Sequence, residues 1–65
     1  MKISALTKLI NYHGTRPRIR VLKHYNDCAI LIYEGRPDNI GTEVANMKIN
    51  SITVLGVGYI EIHTQ

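Results

Sequence analysis

The segment Cys28-Ala-Ile-Leu-Ile-Tyr33 carries an apolar side chain at every position. Because successive side chains of a β-strand point to opposite faces of the sheet, an unbroken apolar run is typical of a strand that is buried on both faces. The run therefore predicts an interior strand, with Ile30 and Ile32 on one face and Leu31 and Tyr33 on the other. It also predicts a buried, unreactive thiol at Cys28.

The residues before this run alternate between basic and apolar side chains from Arg18 to His24. This alternation is typical of a strand with one solvated face. Tyr25-Asn-Asp27 separates the two segments and favours a turn, because Asn and Asp tolerate left-handed backbone. The sequence therefore predicts a β-hairpin. Loops of two, three or four residues all leave one mostly apolar face, and a three-residue loop would place Arg18 opposite Glu34.

The rest of the chain supplies a helix, a connector and two more strands. Apolar residues at three- and four-residue spacing predict a helix over residues 4–13, with Ser4 as its N-cap. Apolar residues at 40, 44 and 47 favour a short helical connector. The final alternation predicts a strand over 59–63 that follows a strand over 49–54, joined by a turn at Gly56-Val-Gly58 or by a bend in one long strand.

The predicted order of elements is α-β-β-α-β-β, which indicates an α+β fold. We expect a small four-stranded, mostly antiparallel sheet made of two hairpins, with the N-terminal helix and the short connector on one face. The 65 residues form a single domain, 1–65. A core of this size is marginal, so we also expect a homo-oligomer.

The amino-acid composition limits the cellular compartment in which we expect the protein. The chain has one cysteine, which excludes an internal disulfide and suits a reducing cytoplasm. It contains no apolar stretch near the ~20 residues that span a bilayer, and its start lacks the apolar core of a signal peptide. These features predict a complete cytoplasmic protein with no membrane contact.

The net charge of +3 is unevenly distributed. Residues 1–33 hold six Lys and Arg against one acid, whereas residues 34–65 hold two against four. The basic half contains a row of candidate binding residues, which would project together from the first strand. Arginine pairs well with phosphates and carboxylates, so this row suits nucleic acid, an acidic protein or the acidic half of a second copy. The same row is also explained as the solvated face of a strand, with no binding role. The candidate residues are Arg16, Arg18, Arg20 and Lys23.

Metal binding and catalysis receive little support. His24 and Cys28 flank the first turn, but zinc usually takes four ligands in closely spaced pairs, and His13 and His63 stand alone in the sequence. The acidic residues are few and scattered, and no Ser or Cys has a plausible neighbouring histidine that could serve as its base. We therefore expect no cofactor, no metal and no enzymatic activity.

The segments Ile32-Tyr-Glu-Gly35, Asp38-Asn-Ile40 and Tyr59-Ile-Glu-Ile62, with Met47 and Ile52 between them, resemble the layout of small phage- and prophage-encoded accessory proteins. Those proteins open with a short helix and continue with a hairpin that ends in Tyr-x-Gly, a connector and a last pair of strands. The resemblance implies an accessory role inside a bacterial host, exerted by binding.

These observations together predict a non-enzymatic protein that binds and modulates or inhibits a host protein, for example as an anti-defence factor. One alternative is a nucleic-acid-binding protein that uses the basic strand. Another is an oligomer that sequesters a small anionic nucleotide between its subunits.

Overall fold

A computed structural model of the protein describes residues 1–9, 18–56 and 58–65. Its elements follow the predicted order α-β-β-α-β-β, and the α+β prediction is confirmed. A 3-10 turn at Pro37–Asn39 precedes the short second helix. The helices are α1 (Ile3–Leu9) and α2 (Thr42–Ala45), and the strands are β1 (Arg18–His24), β2 (Ala29–Gly35), β3 (Ile49–Gly56) and β4 (Tyr59–Thr64).

The four strands form one mixed sheet in the order β2-β1-β4-β3. The hairpins β1–β2 and β3–β4 are antiparallel, and their inner strands β1 and β4 pair in parallel at the centre. A parallel pair of strands needs a crossover connection between the two hairpins. Here the segment that holds the 3-10 turn and α2 makes this crossover, from the outer strand β2 of the first hairpin to the outer strand β3 of the second. At the second hairpin, the turn residue Gly58 has a φ of +74°, which favours glycine.

The core lies between the helices and one face of the sheet. Alternate residues of the two central strands point into it, including Ile19, Val21 and Ile62, all of which are fully buried together with Ile3 of α1. The amide of Ile3 also donates to the Met47 carbonyl at 2.9 Å, which ties the start of α1 to the segment before β3. We call this side of the sheet the core face and the other side the open face.

The prediction that the apolar run forms an interior strand is wrong, because β2 lies at an edge of the sheet. Ile30 and Leu31 are 49% and 43% exposed. The prediction that Leu31 and Tyr33 share one face of the sheet is also wrong, because a β-bulge lies between them. Tyr33 pairs with Val21 on the core face, whereas Leu31 pairs with Leu22 on the open face. The bulge places one extra residue in β2 and reverses the alternation on either side of it.

β1 is one of the two interior strands instead. It pairs with β2 on one side and with β4 on the other, so its alternating pattern gives one buried face and one polar face. An apolar run is also compatible with an edge strand when part of the run stays exposed, and periodicity alone does not separate the two cases.

The first hairpin has a four-residue loop over residues 25–28, since His24 pairs with Ala29. The amide of Tyr25 donates to the carbonyl of Cys28 at 2.7 Å and closes the loop. Cys28 is thus the last loop residue and its side chain is exposed, which corrects the prediction of a buried thiol. The longer loop and the bulge also bring Arg20, not Arg18, opposite Glu34.

The first helix begins one residue earlier than predicted. The carbonyl of Lys2 accepts the amides of Ala5 and Leu6, so Lys2 rather than Ser4 precedes the first turn. The carbonyl of Ser4 instead accepts the Thr7 hydroxyl at 3.0 Å. The predicted end of the helix, over residues 10–14, lies outside the described residues.

Candidate functional site

The open face carries a row of ionisable side chains that runs across three strands. Because the parallel register sets Arg18 beside Tyr59 and Arg20 beside Glu61, alternate residues of β1 and β4 share this face. β2 contributes Glu34, which pairs with Arg20 from the other side. We call this set the open-face row, and its members are Arg18, Arg20, His24, Glu34, Tyr59, Glu61 and His63.

Arg20 lies between two carboxylates. Its Nε is 3.1 Å from Glu34 Oε2, and its Nη1 is 3.8 Å from Glu61 Oε2. No acceptor among the described residues is aligned with the buried Nε–H, so the contact with Glu34 is an ion pair without a directed hydrogen bond. Partly exposed pairs of this kind contribute roughly 0.2–1 kcal/mol each. Arg20 therefore cross-links β2, β1 and β4, and its charge is largely neutralised.

The row continues from Glu61 to two histidines. Glu61 Oε1 lies 2.9 Å from His63 Nε2, and both side chains are only 16% exposed. His63 Nδ1 then lies 2.6 Å from His24 Nε2 on the neighbouring strand, where the site opens to solvent. The two rings are tilted by 40°, with their centroids 4.8 Å apart. Both ring nitrogens of His63 are thus engaged, one by a carboxylate and one by an imidazole.

Tyr59 lies at the other end of the row. Partial desolvation, then a hydrogen bond to Glu34 and then the negative charge of this carboxylate raise the pKa of the Tyr59 phenol above its ordinary value of 10.0. Arg20 and Arg18 act in the opposite direction, and the net shift is upward. Tyr59 therefore stays a neutral hydroxyl at physiological pH.

The predicted basic residues do not form one surface among the described residues. Arg18 is exposed on the open face, but Arg20 is held by Glu34 and Glu61. Lys23 follows Val21 on the core-face side of β1, where its Nζ lies 5.7 Å from the centre of the Tyr25 ring. Arg16 lies outside the described residues.

A second surface is the outer edge of the sheet at β3. From residue 50 to residue 56 every residue of this strand is exposed, and Ile52, Val54 and Leu55 are 44%, 72% and 49% exposed. The strand, Ile49–Gly56, contains no charged residue. The N-terminal segment borders the start of this strand, where the Ile49 amide donates to the Met1 carbonyl at 2.8 Å. Among the described residues, no strand pairs with the outer side of residues 50–56. We call this surface the β3 edge.

The convergence of His24 and His63 is not predicted from the sequence, in which His24 and Cys28 flank the first turn and His63 stands alone. The two histidines are 39 positions apart, and they meet only because β1 and β4 are adjacent. Alternation in each strand does place His63 on the same face as Glu61, and His24 on the same face as Arg20. Within the ranges that the structure describes, no cluster of three or more metal-ligating side chains forms.

No helix in the described part of the chain is long and apolar enough to cross a membrane. Comparison with protein-family models, with curated proteins and with solved structures finds no match for this chain. The open-face row and the β3 edge are therefore the features from which a function is inferred.

Proposed function

We propose that this protein is a non-enzymatic accessory protein of phage type, which acts in the bacterial cytoplasm by binding and modulating a host protein. It docks through the β3 edge, where an extended segment of the host protein adds a strand to the sheet. An inhibitor of a host defence protein is one such modulator. The observation that carries the proposal is the exposure of three large apolar side chains on an uncharged edge strand.

An edge strand presents unpaired amide and carbonyl groups, and proteins usually protect such edges with Lys, Pro or a covering element. The eight residues of β3 contain neither Lys nor Pro, and Val54 is the most exposed large apolar side chain of the described residues. Strand addition combines main-chain hydrogen bonds, which give affinity, with contacts to alternate side chains, which give specificity. The β3 edge offers both.

The opposite edge is less suitable for the same role. β2 exposes Ile30 and Leu31, but it also carries Glu34, which is engaged by Arg20. A bulge interrupts its alternation. A partner strand on β2 would meet a charged side chain, whereas one on β3 would meet none.

The open-face row supports nucleic-acid binding less well. Its described members include two arginines and two glutamates, and Arg20 already contacts both acids. A phosphate would have to compete with two carboxylates for this guanidinium. Nucleic-acid binding by phosphate contacts needs unpaired cations, and among the described members of the row only Arg18 offers one.

The test is a pull-down from a lysate of the bacterial host, with nuclease added. Val54→Lys places a charge on the β3 edge, and Ile30→Lys is the matched control, since it alters a comparably placed apolar side chain on the opposite edge. We expect the wild type and Ile30→Lys to capture the same polypeptide and Val54→Lys to lose it. Circular dichroism of both variants checks that they are folded.

Two outcomes would overturn the proposal. Capture that is equal for Val54→Lys and wild type would remove the β3 edge from the binding surface. Light scattering that shows a dimer for the wild type and a monomer for Val54→Lys, with no host polypeptide captured, would assign the edge to a second copy of the chain.

A further inference from the structure

We propose that His24 and His63 bind a divalent transition-metal ion of the Zn²⁺ type on the open face. This site is distinct from the β3 edge, and its existence does not depend on the host partner. The observation that carries it is the convergence of His24 Nε2 and His63 Nδ1 at 2.6 Å, on adjacent strands of the sheet.

The two ring nitrogens lie near enough for one ion to bind both once His24 has moved. Two imidazole nitrogens bound to one tetrahedral Zn²⁺ at about 2.0–2.1 Å lie roughly 3.3–3.4 Å apart. The distance between the two nitrogens has to increase by about 0.7 Å. The His24 ring also has to turn, because each nitrogen now points at the other and both must point at the ion. His24 is exposed at the end of β1, so its ring is free to make this adjustment.

Glu61 prepares His63 for this role. A carboxylate accepts hydrogen bonds, so the 2.9 Å contact fixes the proton of His63 on Nε2 and leaves a lone pair on Nδ1. Without metal, this lone pair accepts the Nε2–H of His24. When the ion binds, it takes the place of that proton, which moves through solvent to Nδ1 of His24. Carboxylate–histidine–metal arrangements of this kind orient the ring and raise its basicity.

The site leaves room for further ligands. The hydrogen bond between the two histidines is exposed, and the opposing residue on β2 is the small Ala29. With two protein ligands, water completes the coordination of the ion. Neutral imidazole suits Zn²⁺, Ni²⁺ and Cu²⁺, whereas Mg²⁺ and Ca²⁺ prefer oxygen ligands. The chemistry thus selects borderline transition metals over the alkaline-earth ions.

The test is a Zn²⁺ titration of the untagged protein in competition with a chromophoric chelator. We expect His24→Gln and His63→Gln each to weaken Zn²⁺ binding by at least about tenfold. Glu61→Gln should weaken it by about 10–100-fold, the range for loss of a group that orients a ligand. His13→Gln is the matched control, because it removes the remaining histidine of the sequence, and we expect it to leave the affinity unchanged.

A second readout keeps the test independent of folding. In the wild type, Zn²⁺ should shift the imidazole NMR signals of His24 and His63 and leave that of His13 in place, while Mg²⁺ shifts none of the three. Binding that is as tight in His24→Gln as in the wild type would overturn the proposal. A wild type that binds Zn²⁺ no more tightly than about 1 mM would overturn it as well.

Discussion

A pair of charge substitutions distinguishes the centre of the sheet from its edge. Val21 is fully buried on the central strand β1, whereas Leu31 is 43% exposed on β2. Val21→Lys loses the burial of a valine, about 1.5–3 kcal/mol, and adds an unpaired buried charge that costs several kcal/mol more. A chain of 65 residues has a free energy of unfolding of roughly 3–10 kcal/mol. We therefore expect Val21→Lys to be unfolded.

Leu31→Lys should remain folded. About half of the leucine side chain is already in water, and the lysine stem covers part of the same surface while its ammonium stays solvated. The expected loss of stability is about 1 kcal/mol or less. Urea denaturation followed by circular dichroism measures both variants, with Val21→Ala as the control for lost volume alone. Unfolding of Leu31→Lys, together with a folded Val21→Lys, would refute the strand order and restore β2 to the interior.

Three further predictions follow from single side chains. Arg20→Gln should lower the free energy of unfolding by about 1 kcal/mol, because two partly exposed ion pairs are lost; an unchanged urea midpoint would show that neither pair contributes. Because the folded-state pKa of Tyr59 is raised, its contribution to stability is present below the ordinary pKa of 10.0 and is lost as the pH rises through the folded value. Tyr59→Phe should therefore remove absorbance change above pH 10.0 from an alkaline titration, and an unchanged titration above that pH would contradict the assignment. Cys28 should react with a thiol reagent as fast in the native protein as in urea, since it lies exposed in the loop. A much slower reaction of Cys28 in the native protein would show that its assignment to the loop is wrong.

Local chemistry was sufficient to predict the elements of the fold. Alternation from Arg18 to His24 and the turn residues after it predict the first hairpin, and the glycines at 56 and 58 predict the second. These features act over a few residues, so a sequence argument can weigh them. The order α-β-β-α-β-β followed from them and is confirmed.

The relative placement of the hairpins was not accessible in the same way. Adjacency of β1 and β4 is a contact between segments about 40 residues apart, and no local pattern encodes it. For this reason the local pattern predicts the apolar run at the centre of the sheet and the basic strand beside it, the reverse of the observed order. The same adjacency creates the Arg20–Glu61 and His24–His63 contacts, so the open-face row was also missed.

Hydrogen exchange of the complex with the captured host polypeptide tests the central claim most directly. Without the partner, the outward amides of residues 50–56 should exchange rapidly, because no strand among the described residues pairs with them. With the partner bound, the account predicts new protection of amides within Ile49–Gly56 and no change within Ala29–Gly35. Protection confined to β2, or none in β3, would contradict strand addition at this edge.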